Sequence, residues 1–104
     1  MRNAIILVTF LALTAGAEAQ AVNCGSPRGP GQQLVCRDPQ LRGMDRRING
    51  HYLRVITIAE PPDYFRLKRS QRPYLAARDS CRSAACLANV FRKRSYELRD
   101  VVYE

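Results

Sequence analysis

The sequence predicts an all-α domain: a small, disulfide-stapled up-down bundle of three long helices, preceded by a short N-terminal helix or loop. Three observations predict this fold class. Apolar residues recur at steps of three and four through three long segments, which is the spacing of one buried helix face. The breaks around these segments carry helix-start signals: Asp38 with Pro39, Asp63 after the proline pair 61–62, and Ser83. The four cysteines, an even number in a short chain, indicate two disulfides.

Residues 1–19 carry the pattern of a secretory signal peptide. A basic residue is followed by the apolar run AIILVTFLALTA and then by the small-residue sequence AEA, so we expect cleavage before Gln20. The remaining residues, 20–104, are too few for more than one domain. No second long apolar run follows, so we expect a mature chain without a transmembrane segment, secreted or periplasmic in a bacterial envelope. Asn23 directly before Cys24 is unlike a lipidation site.

The first long helix is expected to begin at Asp38 and Pro39. Asp38 can cap the first amide groups, and Pro39 suits the first helical position because its missing N–H has no helical partner there. Before this helix, residues 20–33 are rich in Gly and Pro and predict a loop, with at most a short helix over residues 31–36. The proline pair 61–62 is expected to end the helix. Its apolar stripe consists of Leu41, Met44, Ile48, Tyr52, Val55, Ile56 and Ala59.

The second long helix is expected to be capped by Asp63 and to have a partly polar inward face. Pro73 lacks the N–H that would bond to the carbonyl of Arg69, so either the helix kinks there or a shorter helix begins near Arg72. The inward positions are Tyr64, Leu67, Gln71, Tyr74, Arg78 and Cys81.

The third long helix is expected to be capped by Ser83. Its stripe consists of Leu87, Phe91, Arg94 or Ser95, Leu98, and Val101 or Val102.

The four cysteines are expected to lie at one end of the bundle. An up-down-up order brings Cys36, before the first long helix, to the same end as Cys81 and Cys86. Four cysteines allow three pairings, and sequence alone does not choose among them. The local pairing, Cys24 with Cys36 and Cys81 with Cys86, is favoured because the glycines near residue 30 let the first loop fold back. If that loop were a straight helix, cross-linking to the second pair would be favoured instead.

Side chains suited to catalysis are scarce. His51, the only histidine, lies off the apolar stripe and is expected at the surface. If all cysteines are oxidised, no thiolate is left, and the acidic residues are scattered along the chain. A zinc site is disfavoured because His51 lies far from both cysteine pairs. We therefore expect no enzyme activity, no catalytic residues, no metal and no cofactor.

A structural polar core is expected from Asp45, Gln71 and Arg78. Asp45 lies at the edge of the first apolar stripe, where an unpaired carboxylate is costly to bury. Arg78 lies on the inward face of the antiparallel helix, at a similar distance from the cysteine end. A charged hydrogen bond between them would satisfy both and fix the register of the two helices. The alternative is that the pair marks a ligand pocket.

A surface rich in arginine is expected to attract anionic partners. The net charge is +8, and Arg pairs with carboxylate or phosphate through two hydrogen bonds. Candidate partners are anionic envelope components such as lipopolysaccharide, anionic lipid and acidic proteins, and no nucleic acid is expected. Tyr64, Arg72 and Tyr74 form a candidate binding surface, because interfaces are rich in aromatic residues and Arg. For the aromatic residues, however, ordinary core packing is the favoured interpretation.

Three segments, CRDPQLRGMDRRINGHYLRV, QRPYLAARDSC and CLANVFRKRSYEL, together form a specific pattern. In this the chain resembles the N-terminal domain of LprI-type lysozyme inhibitors, over residues 24–98. Three positions depart from that family's pattern: Met44 replaces a usual Leu, Tyr74 a usual Trp, and Pro73 a helix-forming residue. The matching positions are Cys24, Cys36, Asp38, Pro39, Leu41, Asp45, Tyr52, Gln71, Arg72, Leu75, Arg78, Asp79, Cys81, Cys86, Leu87, Phe91, Arg94 and Leu98.

The resemblance implies a secreted or envelope-anchored helical domain, and some members of that family inhibit lysozyme by direct binding. Lysozyme is therefore an implied partner. Because animal lysozymes are strongly basic, a chain of charge +8 needs acidic residues grouped at the contact. The alternative is a basic envelope module that binds anionic lipid or polysaccharide through its arginines. The acidic residues available are Asp38, Asp63, Asp79, Glu97, Asp100 and Glu104.

Overall fold

A computed structural model describes residues 20–103 of the 104-residue chain. These residues form an all-helical, disulfide-stapled bundle, as the sequence predicts, and no strand occurs among them. Within the same residues, no helix is long and apolar enough to cross a bilayer. The signal peptide predicted over residues 1–19 lies outside the described residues. The helices are α1 (Gly29–Arg37), α2 (Pro39–Ile58), α3 (Pro61–Ser80) and α4 (Ala84–Tyr103).

Helix α2 begins as predicted. Asp38 Oδ1 accepts hydrogen bonds from the backbone N–H of Gln40 at 2.9 Å and of Leu41 at 3.4 Å, and Pro39 occupies the first helical position. The start of α4 is also as predicted, because Ser83 Oγ accepts from the N–H of Cys86 at 3.1 Å. Each cap satisfies amide groups that have no partner inside the helix.

The prolines at positions 61 and 62 begin α3; the prediction that they end α2 is wrong. Helix α2 ends earlier, at Ile58. Proline is tolerated in the first helical turn because its missing N–H has no partner there and its φ is already helical. Asp63 is therefore inside the first turn and does not cap it; instead its Oδ1 pairs with Arg66 Nη2 at 2.6 Å. The N-cap position belongs to Glu60, whose side chain makes no capping hydrogen bond.

Helix α3 continues through Pro73, from Pro61 to Ser80. The expectation of a shorter helix beginning near Arg72 is wrong. Pro73 is exposed, whereas Gln71 and Tyr74 beside it are buried. Packing of the buried side of the helix therefore outweighs the loss of one backbone hydrogen bond on its solvent side.

The disulfides join Cys24 to Cys36 and Cys81 to Cys86, with Cα–Cα distances of 5.5 and 5.6 Å. This is the local pairing that the sequence favours. The first disulfide joins the N-terminal segment, residues 20–28, to α1. The second closes the turn between α3 and α4. Both lie at the end of the bundle where α2 begins and α3 ends.

The apolar core is shared by all four helices. Helices α2 and α4 make the most extensive contact, α1 packs on both α2 and α3, and α3 also packs on α4. Since α2 and α3 are antiparallel, as are α3 and α4, the helices α2 and α4 run in the same direction. The core consists of Val35, Leu41, Ile48, Tyr52, Val55, Leu67, Tyr74, Cys81, Leu87, Phe91 and Leu98.

Helix α1 starts two residues earlier than predicted and touches the backbone of α3. Gly29, its first residue, has a φ of +79°, a conformation that favours glycine. Gly31 is buried, and a Cβ added there would lie 2.0 Å from the carbonyl oxygen of Arg78. Only glycine therefore allows α1 to approach α3 this closely.

Replacing Gly31 by alanine is expected to destabilise the protein by roughly 2–3 kcal/mol, because α1 must move away from α3. Gly50→Ala is the matched control. A Cβ at position 50 would meet only the guanidinium of Arg54, at 3.7 Å. Since alanine is the better helix former, Gly50→Ala is expected to stabilise by about 0.5–1 kcal/mol. Urea unfolding of the oxidised protein measures both, and equal effects of the two substitutions would contradict the close approach at Gly31.

Candidate functional site: an arginine groove beside a charged core

The predicted pair of Asp45 and Arg78 forms in the interior. Arg78 Nη1 donates to Asp45 Oδ1 at 3.1 Å, and both side chains are almost fully buried. Helix α2 supplies the carboxylate from its second turn, and α3 supplies the guanidinium from its last turn. The pair therefore joins two antiparallel helices at the disulfide end of the bundle.

Further hydrogen bonds connect this pair to the N-terminal segment. The backbone N–H of Val22 donates to Asp45 Oδ2 at 2.7 Å, and Arg78 Nη1 also donates to the carbonyl of Gln20 at 2.9 Å. These partners were missed in the sequence, because an extended segment that contributes backbone groups has no periodic signal. The N-terminal segment thus closes the polar core from outside.

Asp79 extends the network to α1. Arg78 Nε donates to Asp79 Oδ1 at 2.9 Å, and Gln32 Nε2 donates to Asp79 Oδ2 at 3.1 Å. Burial alone would lower the pKa of Arg78, but the hydrogen bond to Asp79 and the negative charges of Asp45 and Asp79 raise it above its usual value. Arg78 is therefore a fixed positive charge in the core.

Arg94 forms a second buried joint, between α3 and α4. It is 1% exposed, and its Nη2 donates to Gln71 Oε1 at 2.7 Å. Its guanidinium carbon lies 5.6 Å from the ring centre of Tyr52 and 5.1 Å from that of Tyr74. The sequence left this position open between Arg94 and its neighbour, and the structure buries Arg94. Gln71 thus belongs to this second joint, through its hydrogen bond with Arg94.

The counter-charge of Arg94 comes from Glu97, whose Oε1 lies 3.3 Å from Arg94 Nη1, and Ser70 Oγ accepts from the same nitrogen at 2.9 Å. Cation–π contacts with two tyrosines add to these hydrogen bonds in a site that water does not reach. Position 94 is therefore part of the packed interior and not of the surface.

Tyr74 does not belong to the predicted binding surface of Tyr64, Arg72 and Tyr74: it is 9% exposed and lies against Arg94, as its predicted inward position requires. Tyr74 shares one face of α3 with Gln71 and Arg78, at helical steps of three and four, so burial of the polar core also buries this tyrosine. Burial is the main cause that raises the pKa of Tyr74, and the negative charge of Asp45 raises it further. Arg72 and Tyr64 are exposed; Tyr64 stacks edge-on against Phe65 about two turns from Arg72.

A basic groove of about 600 Å³ lies between α2 and α4. We call it the arginine groove, because five arginines and no acidic residue of the described chain line it. Ile48 and Phe91 form part of its floor and belong to the core. The lining arginines are Arg46, Arg47, Arg54, Arg92 and Arg99.

The two walls of the groove carry the same residue pattern. Helix α2 contributes RINGHYLR, residues 47–54, and α4 contributes RKRSYELR, residues 92–99. In each pattern, an arginine is followed by a small residue three positions on and by a second arginine seven positions on. An aromatic ring, His51 on α2 or Tyr96 on α4, lies four positions after the first arginine. At a helical repeat of 3.6, these four positions share one face. Because α2 and α4 run in the same direction, the two patterns face the groove in parallel. This repeat, which was missed, is a sequence signal of two similar arginine-bearing helix faces; that the two faces meet follows only from the packing of α2 on α4.

The five arginines of the arginine groove are exposed, and in the described part of the chain none of them forms an ion pair. Arg99 stacks on Tyr96, with its guanidinium carbon 4.7 Å from the ring centre, and Arg92 Nη2 donates to Asn89. Partial burial is the main cause that lowers the pKa of His51 below its usual value, and the positive charge of Arg54 lowers it further. Protonation of His51 at low pH would add one more positive charge to the groove.

This arrangement can bind anions. Each guanidinium can donate two parallel hydrogen bonds to a carboxylate, phosphate or sulfate group. Among the described residues, no group of His, Cys, Asp and Glu side chains could hold a metal ion, and no cysteine is unpaired. The five lining arginines give the groove the chemistry of charge recognition.

Comparisons with protein-family models, curated proteins and solved structures found no match to this chain.

Asp45→Ala is expected to lower the free energy of unfolding by about 3–5 kcal/mol, because it leaves the buried charge of Arg78 without its carboxylate. Asp100→Ala, at an exposed position of α4, is the matched control and should change stability by less than about 0.5 kcal/mol. Thermal and urea unfolding measure both variants. An Asp45→Ala protein as stable as the control would show that the pair does not support the fold.

Proposed function

We propose that this protein is an exported, non-enzymatic binding protein, secreted or periplasmic, that binds an anionic envelope component in the arginine groove. One observation carries the proposal: five exposed arginines line a single concave surface without an acidic residue among them. Surfaces that serve only solubility intersperse both signs of charge. A one-sign groove instead concentrates counter-ions and raises the association rate of an anionic ligand.

The net charge of the whole chain supports the same ligand class. At +8, the protein attracts anions at long range, and the groove gives them a place where guanidinium groups converge. Arg46 and Arg47 lie at one end of α2's wall and Arg54 at the other, while Arg92 and Arg99 line the wall formed by α4. Arginines of both helices can therefore contact a ligand in the groove.

A binding role is also supported by what surrounds the one histidine. His51 lies in the groove among arginines, without a carboxylate on the groove walls to orient it as a general base. Its lowered pKa keeps it neutral near pH 7, so it can serve as a hydrogen-bonding partner for a ligand.

The second candidate function is inhibition of lysozyme, which the resemblance to LprI-type inhibitors implies. The turn between α2 and α3 favours it. Glu60 is exposed and makes no capping bond, and Phe65 nearby is 57% exposed. This turn lies at the end of the bundle away from the disulfides. It therefore offers a carboxylate and an aromatic ring that a basic enzyme cleft can accept, in spite of the positive charge elsewhere.

The arginine groove is expected to bind anions with a strong dependence on salt. The double variant Arg47→Gln with Arg99→Gln should weaken binding of the oxidised protein to immobilised heparin, used as a general polyanion, and should reduce the salt slope by about two. The matched control is Arg69→Gln with Arg72→Gln, which removes the same charge from exposed positions of α3 outside the groove. Elution and equilibrium binding at several salt concentrations measure this.

Equal losses in the two double variants would mean that net charge alone drives binding, and the groove proposal would be abandoned. A larger loss in the α3 variant would place the ligand on α3. Melting temperatures of both variants should stay close to that of the parent protein, because all four arginines are exposed.

Lysozyme inhibition is tested by the loss of turbidity of bacterial cell walls at increasing amounts of the oxidised protein. If the α2–α3 turn is responsible, Glu60→Gln with Phe65→Ala should abolish inhibition, whereas Arg47→Gln with Arg99→Gln should retain it. No inhibition by the parent protein at micromolar excess would remove this candidate for the lysozymes tried.

A further inference from the structure

We propose that the arginine groove binds a strand of acidic polysaccharide that lies along the helix axes and bears charged groups at both ends of the groove. This inference rests on the proposed function and names its ligand class. The repeated pattern on α2 and α4, with its two levels of arginine, carries the argument.

The spacing of the arginines selects a ligand with more than one charge. Arg47 and Arg54 are seven residues apart on α2, as are Arg92 and Arg99 on α4. Seven residues of helix rise by roughly 10 Å. Because the helices are parallel, one arginine of each helix lies toward each end of the groove. A single phosphate or carboxylate can reach one end, whereas a polymer with recurring charges can reach both.

The middle of the groove suits uncharged, hydroxyl-bearing parts of a ligand. Gly50 and Ser95 are the small residues of the two patterns, and His51 and Tyr96 supply polar atoms and ring faces between the arginines. Tyr96 is 52% exposed. Hydroxyl groups can exchange hydrogen bonds with His51, Ser95 and Tyr96, and the apolar face of a sugar ring can pack on an aromatic ring.

Gly50 leaves space in the groove that the fold does not need. A Cβ at this position would approach only the guanidinium of Arg54, at 3.7 Å, so packing does not require glycine here. A glycine inside a helix is less favourable than alanine by about 1 kcal/mol. The absence of a side chain at Gly50 therefore makes the middle of the groove deeper and does not stabilise the helix.

The shape of the groove favours a strand over a membrane surface. A flat bilayer touches only the rims of a concave site, and the apolar residues at the floor, Ile48 and Phe91, are buried. The exposed apolar side chains Ile58 and Phe65, which suit insertion between lipids, lie outside the groove. A single-stranded nucleic acid is disfavoured because such sites present several stacking aromatic residues, and Tyr96 is the one exposed aromatic side chain among the described lining residues.

The test is calorimetric titration of the oxidised protein with galacturonate monomer, with oligogalacturonates of increasing length and with inorganic pyrophosphate. Affinity should rise steeply once the oligomer reaches both ends, to about a hundredfold above the monomer, because the second contact becomes intramolecular. Gly50→Leu, which fills the middle of the groove, should weaken binding of the long oligomer more than binding of pyrophosphate, which needs only one end of the groove. Arg69→Gln with Arg72→Gln should leave both unchanged.

The possible failures are distinguishable. If the long oligomer binds no more tightly than the monomer while Arg47→Gln and Arg99→Gln still reduce pyrophosphate binding, the strand is excluded and the anion-binding function stands. Tighter groove-dependent binding to vesicles of equal parts phosphatidylglycerol and phosphatidylcholine would replace polysaccharide by lipid. If no anion depends on the groove arginines, the proposed function fails as well.

Discussion

The buried ion pair of Asp45 and Arg78 is the interaction on which the rest of the structure depends. Burying two charges costs desolvation free energy, which is offset only if the charges pair with each other and form further hydrogen bonds. The backbone of the N-terminal segment and the side chain of Asp79 supply those bonds. The N-terminal segment, α2 and α3 therefore meet at one guanidinium, and the register of α2 against α3 follows from that meeting.

Arg94 has the corresponding role for α4. Its contacts with Gln71, Tyr52 and Tyr74 hold α4 against both α2 and α3. That placement brings the two arginine-bearing faces to opposite sides of one groove. The chain thus uses arginine in two ways: inside, where each guanidinium is held by several partners, and in the groove, where the guanidinium groups lack acidic partners among the described residues.

The fold was predictable to the extent that local chemistry determines it. The Asp38 and Ser83 caps and the three helical stripes follow from hydrogen-bonding groups and from the helical period. The roles of the prolines at 61 and 62 were misjudged, because the same residue type that ends one helix also begins the next. Tyr74 received two interpretations, an inward position and a binding surface, because its helix face is partly polar and polarity did not distinguish core from surface there.

The groove was not predicted, because it requires knowing which faces of α2 and α4 meet, and sequence periodicity describes one helix at a time. The N-terminal segment was missed for a similar reason, since its contribution is made by backbone groups. A double-mutant cycle on Asp45 and Arg78, from the unfolding free energies of Asp45→Ala, Arg78→Met and the double variant, tests the central claim most directly. The account predicts a coupling of about 2–3 kcal/mol. Additive effects, within about 0.5 kcal/mol, would contradict it.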